Sequence, residues 1–353
     1  MSKTAIITDI HFCVRNSSLY YIERYRLFFD NIFFPYLKEH NIKRVLLLGD
    51  TFEDRKSVNV LGLDSCRTMF FDVLRDNNIE VISILGNHDV FYRNTNELTS
   101  MDIIDNEYSN VHLVREYEDF KFGNKTFGLM SWVNTENLDR NLARIKSAQT
   151  DYLLGHYEII NFEMTKGNFA DKGFEPSIFK GYKKVLSGHF HIPSSIDNIS
   201  YIGNSFQTSW DDYNSDRGFT VYDEITDQFE FVKNTYNNFD VIIYTDDVIV
   251  DQFDFDKYNN VKVRILVTQI SDLNQSSYRQ FIDTLNKHVF EYSVVEVKTE
   301  SLSDTSSIII AMKSNMEMIN DYVNVLYIDE DDKKSVNKIM HELYNEALSQ
   351  STN

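Results

Sequence analysis

Five short polar clusters hold the residues of this chain whose types and spacing could do chemistry. They are Asp9-Ile10-His11, Gly49-Asp50, Gly86-Asn87-His88-Asp89, Gly155-His156 and Gly188-His189-Phe190-His191. Five of the nine histidines fall inside them. Carboxylate, imidazole and amide oxygen without a thiolate suit Mn²⁺, Fe²⁺ or Zn²⁺, not a cysteine-based structural zinc site. The donors suffice for two ions. Two-metal hydrolases hold such a pair about 3.5–4 Å apart, bind a phosphate's oxygens, align the attacking hydroxide and stabilise the leaving oxygen. Phosphate-ester hydrolysis is the reaction that this set suits. A lone Asp-x-His would say little; five clusters in one chain say much more.

Each cluster follows an apolar run: AIIT, VLLL, VISIL, YLL and KVL. Residues just past the carboxyl ends of strands in an open α/β sheet converge on one crevice, so groups far apart in sequence can meet there. Glycine precedes the polar residue in four of the five, as a sharp turn after a strand requires. The predicted strands are Thr4–Thr8, Arg44–Leu48, Glu80–Leu85, Thr126–Met130, Tyr152–Leu154 and Lys184–Leu186. Shorter ones follow at Ser200–Ile202, Phe219–Tyr222 and Gln228–Val232, and Gly123-Asn124 reads as a hairpin turn. Helices are predicted over Ile22–Glu39, Val58–Asp76 and Glu136–Lys146. Runs apolar throughout are what a sheet covered on both faces produces. Residues 1–238 therefore read as a layered α/β domain.

Beyond Asn238, strands at Val261–Val267 and Tyr292–Val297 flank a helix near Gln275–His288, a small α+β unit over residues 239–325. After the acidic run Asp329–Asp332, Val336, Ile339, Met340, Leu343, Tyr344, Ala347 and Leu348 recur at helical spacing. Residues 326–353 thus read as a separate amphipathic helix with one apolar stripe.

The chain has 353 residues, 54 acidic and 35 basic, for a formal charge of −19. That length suits two domains or slightly more, and 42% apolar with 25% charged residues is globular composition. The charge excludes a generally basic nucleic-acid coat, because phosphate neutralisation needs clustered Lys and Arg. It leaves room for a nuclease whose active-site charge comes from bound metal. Cys13 and Cys66 cannot build a disulfide framework, so a reducing compartment is expected. The start lacks a secretory pattern and no window spans 18 apolar residues, so a soluble, cytoplasmic protein without a membrane span is expected. Cys13 reads as a buried small hydrophobe, and His40, His112, His288 and His341 lack ligand-like neighbours. Arg55, Lys56 and Arg93 directly follow metal motifs and are candidate DNA-backbone contacts at the crevice rim. Between Arg140 and Lys184 eight bases face five acids, a further candidate nucleic-acid face.

The order Asp-x-His, Gly-Asp, Gly-Asn-His-Asp, Gly-His, Gly-His-x-His resembles the calcineurin-like metallophosphoesterase superfamily. The resemblance implies β-sheets flanked by helices, with Asp9, His11, Asp50 and His191 around one ion. It implies Asp50, as a bridge, with Asn87, His156 and His189 around the second. His88 would be catalytic, assisting departure of the leaving oxygen, with Asp89 orienting it, since a carboxylate beside an imidazole favours the proton-donating form.

The closer resemblance is to SbcD-type DNA repair and recombination nucleases, over nearly the whole chain. GDTFEDRKSV, ILGNHDVFY, LLGHYEI, LSGHFHIPS, YIGNSFQ and DRGFTVYD look most like the recombination endonuclease subunits of T-even-type phages. This implies a DNA endo/exonuclease with two divalent ions, Mn²⁺ by preference and Mg²⁺, Fe²⁺ or Zn²⁺ as alternatives. It implies the catalytic subunit of an SbcCD-like complex, acting in recombination, repair and replication, in the host cytoplasm if phage-encoded. The partner would be an SMC-like coiled-coil ATPase of the SbcC type, gripped by Lys333–Ser349, and residues 239–325 would cap DNA. Homodimerisation through Val58–Asp76, with Met69, Phe70 and Phe71, is a further implication. Two positions depart from the pattern. Glu53 stands where many members carry histidine, and Gly203-Asn204-Ser205 replaces the usual Gly-Ser/Thr-Pro. The rivals are a small-molecule phosphodiesterase or protein phosphatase of the same superfamily, and an inactive scaffold that recruits the ATPase. Such phosphatases read Gly-Asn-His-Glu where this chain has Asp89, and a degenerate scaffold would lack ligands that are all present here.

Overall fold

The computed structural model describes residues 3–165, 168–267 and 270–296, with Val323, Asp329, Lys333, Val336, Ile339 and Met340. The chain forms two compact units, Met1–Thr208 with Ser215–Tyr236, and Ser209–Asn214 with Asn237–Asn353.

The first unit carries two six-stranded sheets among its described residues. In one, β1 (Lys3–Ile7), β2 (Arg44–Leu48), β3 (Glu80–Ile84) and β4 (Val111–Val114) run parallel. In the other, β5 (Tyr117–Phe122), β6 (Lys125–Met130), β7 (Tyr152–His156) and, after the short pair β8 (Glu163–Thr165) and β9 (Asn168–Phe169), β10 (Lys184–Gly188) line up. β11 (Ser194–Ile196) and β12 (Ile199–Tyr201) complete that sheet beside β10. β13 (Gly218–Asp223) returns antiparallel to β1 and carries β14 (Gln228–Lys233) at the edge of the first sheet.

Strand alternation sorts the side chains into three cores. Ile6, Leu46, Leu48, Ile82 and Ile84 meet Phe127, Leu129, Leu154 and Leu186 between the sheets. Ala5, Ile7, Val45, Leu47 and Val81 face the helices of the first sheet, while Leu153 and Val185 face outward from the second. Both faces of each sheet are therefore dry, which is why the strands read as unbroken apolar runs. The functional crevice is not the top of one open sheet, as the sequence suggested. It is the line where the carboxyl ends of two stacked sheets meet. Phe122 pairs with Lys125 across Gly123-Asn124, the hairpin that the sequence predicts.

The helix Leu19–Phe28 passes through a π turn, Phe29–Phe33, into Phe34–Glu39, and Val60–Cys66 likewise passes through Arg67–Phe71 into Asp72–Asp76. Pro35 removes one backbone donor just after the first π turn, where a widened turn accommodates its ring. Phe28, Phe29, Phe33, Phe70 and Phe71 are all fully buried. This corrects the expectation that Met69, Phe70 and Phe71 offer a dimerisation surface. Phe70 stacks among Phe12, Phe29 and Phe33 at ring distances of 6.3, 5.2 and 6.0 Å, and Met69 is only 6% exposed.

Among its described residues the second unit has three parallel strands, β15 (Phe239–Tyr244), β16 (Lys262–Val267) and β17 (Glu291–Glu296), and a helix, Gln275–Leu285. The sequence predicts the last two strands and misses β15, which falls where the first domain was expected to end. Phe281 and Leu285 of the helix bury Ile242, Tyr244, Val263 and Ile265. In the terminal segment Lys333, Val336, Ile339 and Met340 are helical, with Ile339 exposed; Leu343, Tyr344 and Ala347 lie outside the described residues. Among the described residues no helix is long and apolar enough to cross a membrane.

Phe70→Ala is expected to cost about 3–5 kcal/mol, the usual loss for truncating a buried aromatic. Val60, 82% exposed on the same helix, should tolerate Thr within about 0.5 kcal/mol. Urea unfolding of the two variants checks both; equal, small effects would contradict the burial described here.

Candidate metal centre

The loops after β1 and β2 are zipped by their own backbones. Asp9 N donates to Gly49 O, His11 N to Asp50 O, Phe12 N to Thr51 O and Glu53 N to Phe12 O, all at 2.8–3.1 Å. Asp9, His11, Asp50 and His189 take left-handed φ values of 50, 53, 51 and 92°. Such backbone costs about 1–3 kcal/mol per non-glycine residue and persists only where surrounding contacts fix it, typically at functional sites. Two glycines make the approach possible. A Cβ on Gly86 would lie 2.1 Å from Asp50 Oδ1, and Gly49 has φ 87° and would strike the Gly86 backbone at 2.5 Å.

Two groups of ligand-type side chains result, Asp9 with His11 and His191, and Asp50 with His156 and His189. Within each, the ligand atoms lie within 4.8 Å of one another. In the first, His11 Nε2 is 3.1 Å from His191 Nε2, and each is 3.8 Å from Asp9 Oδ1. In the second, Asn87 Oδ1 lies 2.7 Å from His189 Nδ1 and 3.1 Å from His156 Nε2. Asp50 Oδ2 reaches both groups, 3.3 Å from His156 Nε2 and 3.8 Å from His11 Nε2. The seven residues that the sequence singles out are thus brought together. Ring nitrogens facing one another over buried carboxylates form a nitrogen-and-oxygen set that fits divalent ions of the Mn²⁺, Fe²⁺ and Zn²⁺ type.

These buried donors shift one another's proton affinity. Burial pushes the Asp50 carboxyl up, but His156 and His11 outweigh it and hold it well below the usual carboxylate range. Burial lowers His156, yet Asp50 and Asp9 bring it to about 9. Burial and the neighbouring His156 push His189 down to about 3, so its ring is neutral, as a metal ligand must be.

His88 stands apart. Its backbone N–H donates to Asp50 Oδ1 at 2.7 Å, while its ring Nδ1 meets the carbonyl of Glu53. Asp89 does not orient that ring, which corrects the sequence expectation. Its buried carboxylate accepts from Asp50 N and Gly86 N at 2.8 Å and from Thr51 N at 3.0 Å, tying the β2 and β3 loops together. Burial and Asp50 raise it to about 6. Burial, helped by Arg93 and opposed by Asp50, lowers the proton affinity of the Arg55 guanidinium. Lys56 and Arg93 are exposed. In the basic stretch Arg140 pairs with Glu116, Lys183 with Asp151, and Arg144 lies over Tyr117, so much of its charge is used locally. Cys13 is buried, its Sγ 4.0 Å from Asn59 O. His112 pairs with Glu118, His40 lies against Tyr36 and His288 Nδ1 faces Thr284 O; His341 lies outside the described residues.

Three contributors were not foreseen. Trp132, its ring 5.3 Å from His189, walls the second group. Its carbonyl accepts from Asn96 and Asn137. The buried Arg217 donates to the His191 carbonyl and to Asn204. Tyr25 donates its hydroxyl to the His11 carbonyl at 3.0 Å. The only sequence signal was the DRGFTVYD stretch that contains Arg217.

The calcineurin-like phosphoesterase family profile matches residues 2–193. Exonuclease subunit 1 of enterobacteria phage T4 is 28% identical over 313 residues, covering 88% of this chain and 90% of that protein. Among solved structures, an archaeal phosphodiesterase aligns at 11% identity and TM-score 0.34, over 66% of this chain and 99% of its own. GAP50, the anchor in the inner membrane complex of Plasmodium, aligns at 12% and 0.37, over 67% and 90%.

Because Asp50 reaches both groups, Asp50→Asn should weaken both of two bound divalent ions, whereas His191→Gln should weaken one. Equilibrium dialysis against Mn²⁺ with elemental analysis counts them. Equal losses in the two variants would contradict a shared carboxylate.

Proposed function

Because the chain belongs to the calcineurin-like phosphoesterase family, we propose that it is a two-metal DNA nuclease, the catalytic subunit of an SbcCD-like complex. The observation that carries this is the Asp50 carboxylate reaching two adjacent ligand groups with the His88 ring at their rim. Asp9, His11, Asp50 and His191 would hold one ion, and Asp50, Asn87, His156 and His189 the other. Two divalent ions supply Lewis acidity toward a phosphodiester and lower the pKa of bound water. Mn²⁺ is the proposed physiological ion.

The residues do the positioning. His88 gives its Nδ1 to a backbone carbonyl, which leaves Nε2 to face a substrate and to protonate the departing oxygen. Asp89 holds the loops that carry Asp50 and His88. Arg55, Lys56 and Arg93 make no ion pair among the described residues and are offered to DNA phosphates. DNA as substrate is supported by the T4 relative, which its name makes a subunit of an exonuclease. A subunit implies a partner, and an SMC-like coiled-coil ATPase is proposed, docked on the stripe of Val336, Ile339 and Met340. The unit with β15–β17 is proposed to cap DNA.

His88→Gln should lower plasmid nicking with Mn²⁺ by about 10²–10⁴-fold, the usual contribution of a general acid, with two ions still bound. Undamaged plasmid beside rapid hydrolysis of bis-p-nitrophenyl phosphate or a phosphoprotein by the wild type would overturn DNA as substrate. Ile339→Glu should abolish co-elution with the coiled-coil ATPase in size-exclusion chromatography; retained co-elution would overturn the docking stripe.

A further inference from the structure

Glu53 lies three residues past Asp50, at one of the two departures from the family pattern. Its position is fixed by backbone, because Phe12 and Phe52 form a parallel bridge and Glu53 N donates to Phe12 O at 2.9 Å. That register sets the side chain beside His11, where Oε2 comes within 2.9 Å of Nδ1. The approach is bent, and this buried ring nitrogen has no other hydrogen-bond partner among the described residues. The opposite nitrogen, Nε2, faces His191, Asp9 and Asp50 at 3.1, 3.8 and 3.8 Å. The carbonyl of the same residue accepts from His88 Nδ1.

We propose that Glu53 positions two histidines at once: its carboxylate holds His11 with Nδ1–H outward and Nε2 on the first ligand group, and its backbone carbonyl holds His88 with Nε2 toward the rim. This rests on reading Asp9, His11, Asp50 and His191 as ligands. A carboxylate on the far nitrogen fixes the tautomer of a ligating imidazole and raises its basicity; losing such a partner typically costs 10–100-fold in metal affinity. In the second group the corresponding partner is neutral, since His156 Nδ1 donates to Leu48 O at 2.8 Å. The two ions therefore differ in what secures them. Removing the Glu53 side chain touches the first ion alone, and His88 keeps its backbone acceptor.

Calorimetric titration of the full chain with Mn²⁺ tests this. Glu53→Ala should weaken one of two ions about 10–100-fold and leave the other within about twofold, and Glu53→Gln, whose amide oxygen still accepts from Nδ1–H, should recover most of the loss. In Zn²⁺-loaded protein, an imidazole N–H resonance assigned through His11→Gln should vanish in Glu53→Ala and persist in Glu53→Gln. The His88 resonance, assigned through His88→Gln, should persist in both. Should Glu53→Ala not fold, Glu53→Asp, shorter by one methylene, is read in the same way. Unchanged affinity for both ions, or equal weakening of both with a lowered Tm, overturns the inference. Wild-type protein that binds no Mn²⁺ overturns the ligand reading itself, and the role of Glu53 with it.

Discussion

The carbonyl of Leu48 is the point on which this architecture turns. It ends β2 in the first sheet and accepts the Nδ1–H of His156, the last residue of β7 in the second, at 2.8 Å; the Thr8 hydroxyl lies 2.9 Å away. One backbone acceptor thus joins three strand ends drawn from two sheets. It also fixes a chemical fact, because a neutral imidazole that donates through Nδ1 presents Nε2 as its acceptor, the form in which His156 would bind a metal. That Nε2 meets Asp50, which in turn meets His11. Shift either sheet by one residue and the strand period turns these side chains to the opposite face. The dry core between the sheets therefore sets the register of the centre as well as the stability of the fold.

What was legible in the sequence was whatever local chemistry determines. The strands before each cluster announced themselves because both faces of each sheet are buried, and the seven donors because their order follows the family. The pairing of two sheets was not legible, since it is a long-range packing choice that no local run encodes. Aromatic residues misled at Met69–Phe71. Successive residues on a regular α-helix are turned by about 100°, so three apolar neighbours look as though one must be exposed, yet the π turn and surrounding phenylalanines bury all three. Asp89 misled for a related reason. Adjacency to His88 suggested a side-chain pair, whereas a buried carboxylate with three backbone N–H groups in reach satisfies itself there. Trp132 left no signal, and Arg217 only the DRGFTVYD stretch that contains it, because both act on neighbours distant in sequence.

The family membership and the T4 relative agree with the resemblance carried by those motifs. Family likeness predicts which residues converge, but the convergence is held by groups that the motifs do not include. Thr8, Tyr25, Asn204 and Arg217 act on the backbone or carboxylates of the candidate ligand loops, and Glu53 acts on two rings. Left-handed backbone at four candidate ligand residues requires such support, because each would relax to ordinary geometry if its loop were free.

The net charge of −19 bears on the substrate through this centre. Asp9, Asp50 and Glu53 converge there, and among the described residues no Lys or Arg pairs with any of them. Without metal the neighbouring histidines keep these carboxyls ionised; once those rings serve as neutral ligands the carboxylates need another counter-charge, and an anionic phosphodiester would add to the repulsion. Two divalent ions would bring about four positive charges against about three negative ones, which would turn the local field attractive for phosphate. Residues 1–240 carry 35 acids and 25 bases, so the rest of that segment offers no counterweight beyond local bases such as Arg55 and Arg93. An acidic chain can therefore accept an anionic phosphodiester only where metal has reversed the field. Affinity for a phosphodiester and its hydrolysis would then depend on the same ions.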